Sequence, residues 1–257
     1  MGRIPRLLRM VLGPLTLYGC ATQTVTPYLD DVGGHIAARP GRPGYVVAAP
    51  HATSDVATGD IAAALAQRTG YGLVIATGFA LEPDTRERPG RRYQVNRPRE
   101  GVPGRPAAEE MSSDGARRVY DAYERRVREM AQSPLLFYAE IHGNNHREAA
   151  TQIQVATVGV DRETAFRLRT LLELVRDAHL RGHPDAPRLQ ILIEPVDAVR
   201  YSASGAKRDG ILRLPRRALH VELPQAARTE WRTVYTAILG DFLVQAPGLA
   251  DATAARR

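Results

Sequence analysis

Four short polar stretches of this sequence sit inside or at the ends of apolar runs, and their residue types suit metal binding and proton transfer. His51 follows Pro50 directly, and Asp55 comes four residues later. An imidazole and a carboxylate this close can bind one divalent metal, typically zinc. The same pair also suits a plain solvated turn. His142 lies in Glu140-Ile141-His142-Gly143-Asn144, at the end of a second apolar run. With His51 and Asp55 it completes a three-ligand zinc set, leaving the fourth position to water, as a catalytic zinc needs. Strand alternation keeps Glu140 on the same side as His142, where it can orient a ligand from behind. His146 suits solvent better than a metal.

Glu222 is the acid of the third stretch, inside the apolar run at residues 219–223. A buried, unpaired carboxylate is costly and needs a partner. A partner in a metal crevice would make Glu222 a general base or acid. His220 alternates onto the same side as a weaker candidate. The fourth stretch is Asn96-Arg97-Pro98, where the proline holds Arg97 extended. A planar guanidinium beside an amide suits a substrate carboxylate. The competing expectation is that Arg97 pairs with a local acid such as Glu100.

The elements that must position these groups follow from periodicity. Apolar runs at 45–49, 72–78, 135–142, 153–158, 189–193 and 219–223 predict buried strands. Patterns at 61–68, 107–132, 162–179 and 225–244 predict helices, the first with Ser54 or Asp55 as its cap and Gly70 as its end. Strands alternating with helices imply an α/β domain with a largely parallel sheet. In such sheets the chemistry gathers at the carboxyl ends of the strands, which is where His51 and His142 fall. Residues 79–106 form a long, charged, proline-rich loop, and residues 202–210 a polar loop with glycines.

The chain has 257 residues, 44% of them apolar, enough for a substantial core. Its net charge is +7 and Lys207 is its sole lysine, so the positive charge is almost all arginine. That suits an anionic substrate or surface. The arginines are spread along the chain without an aromatic-laced motif, which argues against nucleic acid as a partner. Cys20 is the sole cysteine, so no internal disulfide is possible. It ends a stretch with Arg3, Arg6 and Arg9 followed by a short apolar run. Leu17-Tyr18-Gly19-Cys20 resembles a bacterial lipobox, which implies a lipidated cysteine and an extracytoplasmic protein anchored to a membrane. The expected organisation is a signal segment at 1–20, a tether at 21–44, a catalytic domain at 45–246 and a flexible tail at 247–257.

Taken in order, these motifs resemble a known family. The Pro-His turn with Asp55-Val-Ala-Thr58, then Val95-Asn-Arg-Pro98, Glu140-Ile-His-Gly-Asn144 and His220-Val-Glu-Leu223 resemble the N-formylglutamate amidohydrolase family, itself similar to the zinc carboxypeptidases. The resemblance covers roughly residues 45–240. It implies a three-layer α/β sandwich around a mixed, largely parallel sheet. It implies His51, Asp55 and His142 as zinc ligands, Asn96 and Arg97 as holders of a substrate carboxylate, and Glu222 as general base. Ser54 stands where carboxypeptidases carry their acidic ligand, and Pro224-Gln225 where the amidohydrolases carry Asn-Arg. The expected activity is zinc-dependent hydrolysis of an amide bond in a small molecule or peptide bearing a carboxylate. The rival expectation is a non-catalytic surface lipoprotein that binds an acidic polymer through an arginine-rich groove.

Overall fold

The structure, a computed structural model, describes residues 24–27, 33–83, 85, 90–106 and 109–254. The strands are β1 (Thr24–Pro27), β2 (Gly34–Arg39), β3 (Arg42–Ala49), β4 (Tyr71–Gly78), β5 (Glu100–Gly101), β6 (Glu110–Met111), β7 (Phe137–Asn144), β8 (Gln152–Val158), β9 (Gln190–Ile193) and β10 (Arg217–Pro224). The helices are α1 (Thr58–Thr69), α2 (Asp114–Ala131), α3 (Arg162–Leu180), α4 (Ser204–Asp209), α5 (Gln225–Arg228) and α6 (Arg232–Ala254).

Among the described residues, eight strands form one sheet in the order β1-β2-β4-β3-β7-β10-β8-β9. The central run β4-β3-β7-β10 is parallel, β1-β2, β2-β4 and β10-β8 are antiparallel, and β8-β9 is parallel. The short strands β5 and β6 pair with each other as a separate ribbon. Helices α1, α3 and α6 cover one face, and α2 with α4 covers the other. The expected three-layer α/β sandwich with a mixed sheet is the observed architecture. Both faces are covered, so the central strands read as continuous apolar runs rather than alternating ones.

The helices form where composition favours them. In α1 the residues Ile61, Ala62, Leu65 and Ala66 are buried, and Gly70 in the left-handed conformation ends the helix. α2 begins at Asp114, later than the pattern at 107–132 suggests, because Ser113 caps it by accepting from the backbone N–H of Ala116. Its face Val119, Tyr123 and Val127 is buried. The helix expected at 225–244 is instead two, α5 and α6, and α6 continues past Pro247 to Ala254. The stretch expected as a tether at 21–44 carries β1, β2 and the start of β3. Residues 1–20, including Cys20, lie outside the described residues. No helix among the described residues is long and apolar enough to cross a membrane.

Candidate active site

Strand alternation divides the chemistry from the core. On β7 the residues Phe137, Ala139 and Ile141 face α1, α3 and α6, while Tyr138 faces α2. By the same period of two, Glu140, His142 and Asn144 share the Tyr138 face. On the neighbouring β10, His220 and Glu222 share the face of Ala218, and the register sets Glu222 beside His142. The carboxyl ends of β3, β7 and β10 thus bring His51, His142 and Glu222 to one edge of the sheet.

The turn after β3 supplies the remaining acid. Asp55 does not cap α1: Ala57, in the left-handed conformation, precedes its first turn without a side-chain cap bond. The Asp55 carboxylate turns towards β7 instead, where Oδ2 accepts from the backbone N–H of Gly143 at 3.2 Å. His142 Nδ1 lies 3.4 Å from the same oxygen and His51 Nδ1 lies 3.7 Å from it. The rings of His51 and His142 are 4.8 Å apart, edge to face. His51, Asp55 and His142 therefore gather as expected, with one donor atom from each within 4.8 Å of the others.

Each imidazole turns the same atom inward. His51 Nε2 is 3.3 Å from the carbonyl oxygen of Gln94, and His142 Nε2 is 3.4 Å from Glu140 Oε1. At His51 a proton on Nε2 facing that carbonyl leaves Nδ1 as the lone-pair atom, while His142 Nε2 makes no hydrogen bond and its Nδ1 faces Asp55. Ligands about 2.1 Å from a tetrahedral zinc stand roughly 3.4 Å apart, close to the two spacings around Asp55 Oδ2. The donor set, two imidazoles and one carboxylate, is one that zinc takes. These three residues fit the metal.

Electrostatics point the same way. Burial opposes charge on His142, yet Glu140, Asp55 and Glu222 around it push its pKa up to about 10. Burial likewise opposes charge on Asp55 and Glu140, but the imidazoles beside each hold both well below the usual carboxylate range. The cluster is a nest of buried acids that favours a positive charge at its centre.

Behind His142 stands a hub. Glu140 is fully buried, and its Oε1 is 2.6 Å from His220 Nδ1. Asn96 Nδ2 approaches both Glu140 oxygens at 3.4 and 3.5 Å, and Tyr138 donates its hydroxyl to Oε2 at 3.3 Å. His220 Nε2 lies 3.2 Å from Glu222 Oε1, so this imidazole bridges two carboxylates. Glu140, His142 and His220 also lie within metal-ligand reach of one another. The 2.6 Å contact between Glu140 and His220 is that of a hydrogen bond, tighter than two ligands of one ion, so this trio supports the first set rather than forming a second one. The other oxygen of Glu222, Oε2, is buried without a hydrogen-bond partner.

Asn96 and Arg97 divide. Asn96 is buried against Glu140 and serves the hub. Arg97 spends Nε and Nη2 on Glu110, at 3.0 and 2.5 Å, and Nη1 on Asn96 Oδ1 at 3.0 Å. In this structure Arg97 therefore pairs with a local acid, Glu110 rather than Glu100, because β6 brings Glu110 to the loop. Gly210 packs so tightly on the carbonyl of Asn96 that a side chain there would collide with it, and Ile211 N–H donates to that carbonyl at 2.9 Å. His146 is part of the turn after β7 and accepts from the Glu148 N–H, away from the cluster.

Two residues of this site escape a reading of the sequence. Tyr201 is half-buried, and burial with the charge of Glu222 raises its hydroxyl pKa, so it lies in the field of the site. Arg228, on α5, is 2% exposed. It donates to the carbonyl oxygens of Val56, Leu223 and Asn144 at 2.7, 3.2 and 3.2 Å, and to Asn145 Oδ1 at 2.9 Å. One guanidinium thus ties together the ends of β7 and β10 and the turn after β3. Gly143 is required beneath it, since any Cβ there would collide with the guanidinium. The sequence signal was no more than an arginine after two alanines in the four-residue helix Gln225–Arg228.

No protein-family model matches this sequence, and no curated protein matches it significantly. Its fold is similar to several solved structures. A bacteriophage poly-γ-glutamate hydrolase is 14% identical, with 85% of this chain and 91% of that one covered and a TM-score of 0.48. A gene product of Agrobacterium tumefaciens is 13% identical, covering 85% and 95%, with a TM-score of 0.45. A metallo-carboxypeptidase from Burkholderia cenocepacia is 14% identical, covering 85% and 62%, with a TM-score of 0.44.

Proposed function

We propose that this protein is a zinc-dependent hydrolase of amide bonds. The observation that carries the reading is the convergence of His51 Nδ1 and His142 Nδ1 on Asp55 Oδ2, next to a buried carboxylate, Glu222, with one oxygen free. Zinc held there would polarise an amide carbonyl and bring the pKa of the attacking water near 7. Glu222 Oε2 takes the proton of that water and hands it to the leaving nitrogen. His220 is hydrogen-bonded to Oε1 and leaves the other oxygen free for this step. Glu140 holds His142 and His220 in their orientations from behind. A substrate carboxylate takes the place of Glu110 on the Arg97 fork, since both partners are carboxylates and the pair is only about four-fifths buried.

We further propose that the protein works outside the cytoplasm, anchored through Cys20. The basic start, the short apolar run and the sole cysteine at its end support this. Cys20→Ser should then shift the protein from the membrane to the soluble fraction, and an unchanged distribution rejects the anchor.

The mechanism is tested with Glu222→Gln. The amide keeps the shape of the acid, so zinc content and melting temperature should stay close to wild type. Turnover of N-acyl amino acids and N-acyl dipeptides, whichever the wild type cleaves, should fall by about 10²–10⁴-fold, the typical share of a positioned general base. Undiminished turnover would remove Glu222 from the chemistry.

A further inference from the structure

Asn144 closes the polar face of β7, two residues beyond His142 and four beyond Glu140. It is 6% exposed, and both its carboxamide atoms, Nδ2 and Oδ1, are buried without a hydrogen-bond partner. Its backbone is well held: the carbonyl accepts from Arg228, and the strand register places it opposite Pro224, two residues past Glu222. The backbone is thus held while the side chain's donors and acceptor go unused. A buried amide left unpaired destabilises a fold, and proteins keep such groups where function requires them. Two other orphan atoms lie on the same two strands, His142 Nε2 and Glu222 Oε2, and the second is the one assigned to the chemistry.

We propose that Asn144 is a substrate-binding residue that recognises a second amide group beside the scissile one. A carboxamide with both ends free offers one donor side and one acceptor side. That pair is complementary to a peptide-type amide, whose carbonyl accepts from Nδ2 and whose N–H donates to Oδ1. A carboxylate would satisfy only the donor side and would meet Asp55 and Glu222 close by. The substrate class this defines is a peptide or polyamide with at least two consecutive amide bonds, rather than a lone N-acyl amino acid. This rests on the hydrolase reading for the place of the scissile bond, but the recognition itself is a binding event.

The test uses zinc-loaded protein in a Glu222→Gln background, which prevents turnover, with Asn144 intact or changed to Leu. N-acetylglycylglycine and its two single-ester analogues are titrated, and Kd is read by NMR. With Asn144 intact, one ester analogue should bind about tenfold more weakly, the worth of one lost hydrogen bond. In Asn144→Leu the diamide and that ester should bind equally. The melting temperature of Asn144→Leu should match or exceed that of the parent, because no partner inside the protein is lost. Asn144→Asp, close in shape, should lose the diamide as Leu does. The proposal is overturned if no ester analogue is weaker, if the ester effect survives in Asn144→Leu, or if that variant melts well below its parent. Ester-sensitive binding without any turnover by the wild type would sink the hydrolase reading and leave this inference standing. Turnover without ester sensitivity would do the reverse.

Discussion

The two faces of β7 and β10 are built from the same eight-residue strands and do opposite work. One face presents Phe137, Ala139 and Ile141 with Leu219, Val221 and Leu223, all buried in a cluster of apolar side chains. The other starts apolar, with Tyr138 and Ala218, and turns polar towards the carboxyl ends, with Glu140, His142, Asn144, His220 and Glu222. Every one of these polar residues is at least nine-tenths buried. Burial alone therefore does not separate core from site; pairing does. On the apolar face there is nothing to satisfy. On the polar face each group needs the next, and the chain of contacts runs from Asn96 and Tyr138 through Glu140 to His142, His220 and Glu222. That chain leaves unsatisfied atoms on the same face: His142 Nε2, Glu222 Oε2 and both ends of the Asn144 amide.

The comparison breaks most visibly from the apolar side. Ile141→Ala, between Glu140 and His142, should cost about 2–5 kcal/mol of stability, because a fully buried side chain leaves a cavity. The folded fraction should still bind zinc as tightly as wild type. Urea unfolding gives the first quantity and a zinc titration of the native protein the second. Loss of zinc affinity together with stability would mean that the two faces are not separable.

A change of pH acts on the polar face alone. Without metal, the folded pKa of His142 stands at about 10 against an ordinary 6.5. Its raised value adds stability that is fully present below about pH 6.5 and is lost as the pH rises towards 10. The metal-free protein should melt at progressively lower temperature across that window. Zinc replaces the proton at the centre of the nest, so the loaded protein should lose less, and loading should release a proton. Parallel melting curves for both forms between these limits would contradict the charge balance assigned to the cluster.

The smallest effect concerns the rim. Glu110→Gln frees the Arg97 guanidinium from a partly exposed ion pair worth no more than about 1 kcal/mol. The KM for substrates with a carboxylate near the scissile amide should fall up to about fivefold, with kcat unchanged. An unaltered KM would remove Arg97 from substrate binding.

Much of this was legible in the residues. The strands that carry the site are runs of apolar residues, and the polar exceptions within them, Glu140, His142, His220 and Glu222, stand out because such residues are costly there. Alternation alone placed Glu140 beside His142. The turn after β3 was harder. Asp55 looks like a helix cap by type and position, and only the left-handed Ala57 and the Gly143 N–H explain why it faces β7 instead. The pairing of Arg97 with Glu110 was not legible, because Glu110 is thirteen residues away in a ribbon too short to leave a periodic signal. Arg228 was invisible, since its role arises from contacts with Val56 and Asn144, both distant in sequence. The strands before residue 45 were hidden by glycine and proline; β2 nonetheless alternates buried and part-exposed residues and pairs with β4.

The account stands on a metal held by His51, Asp55 and His142. Equilibrium dialysis of the purified protein against zinc, with metal content read by atomic emission, measures this most directly. Wild type should retain about one zinc per chain, and His142→Ala, which removes an Nδ1 ligand, should retain none under the same conditions. Equal zinc in both, or none in wild type, would contradict it.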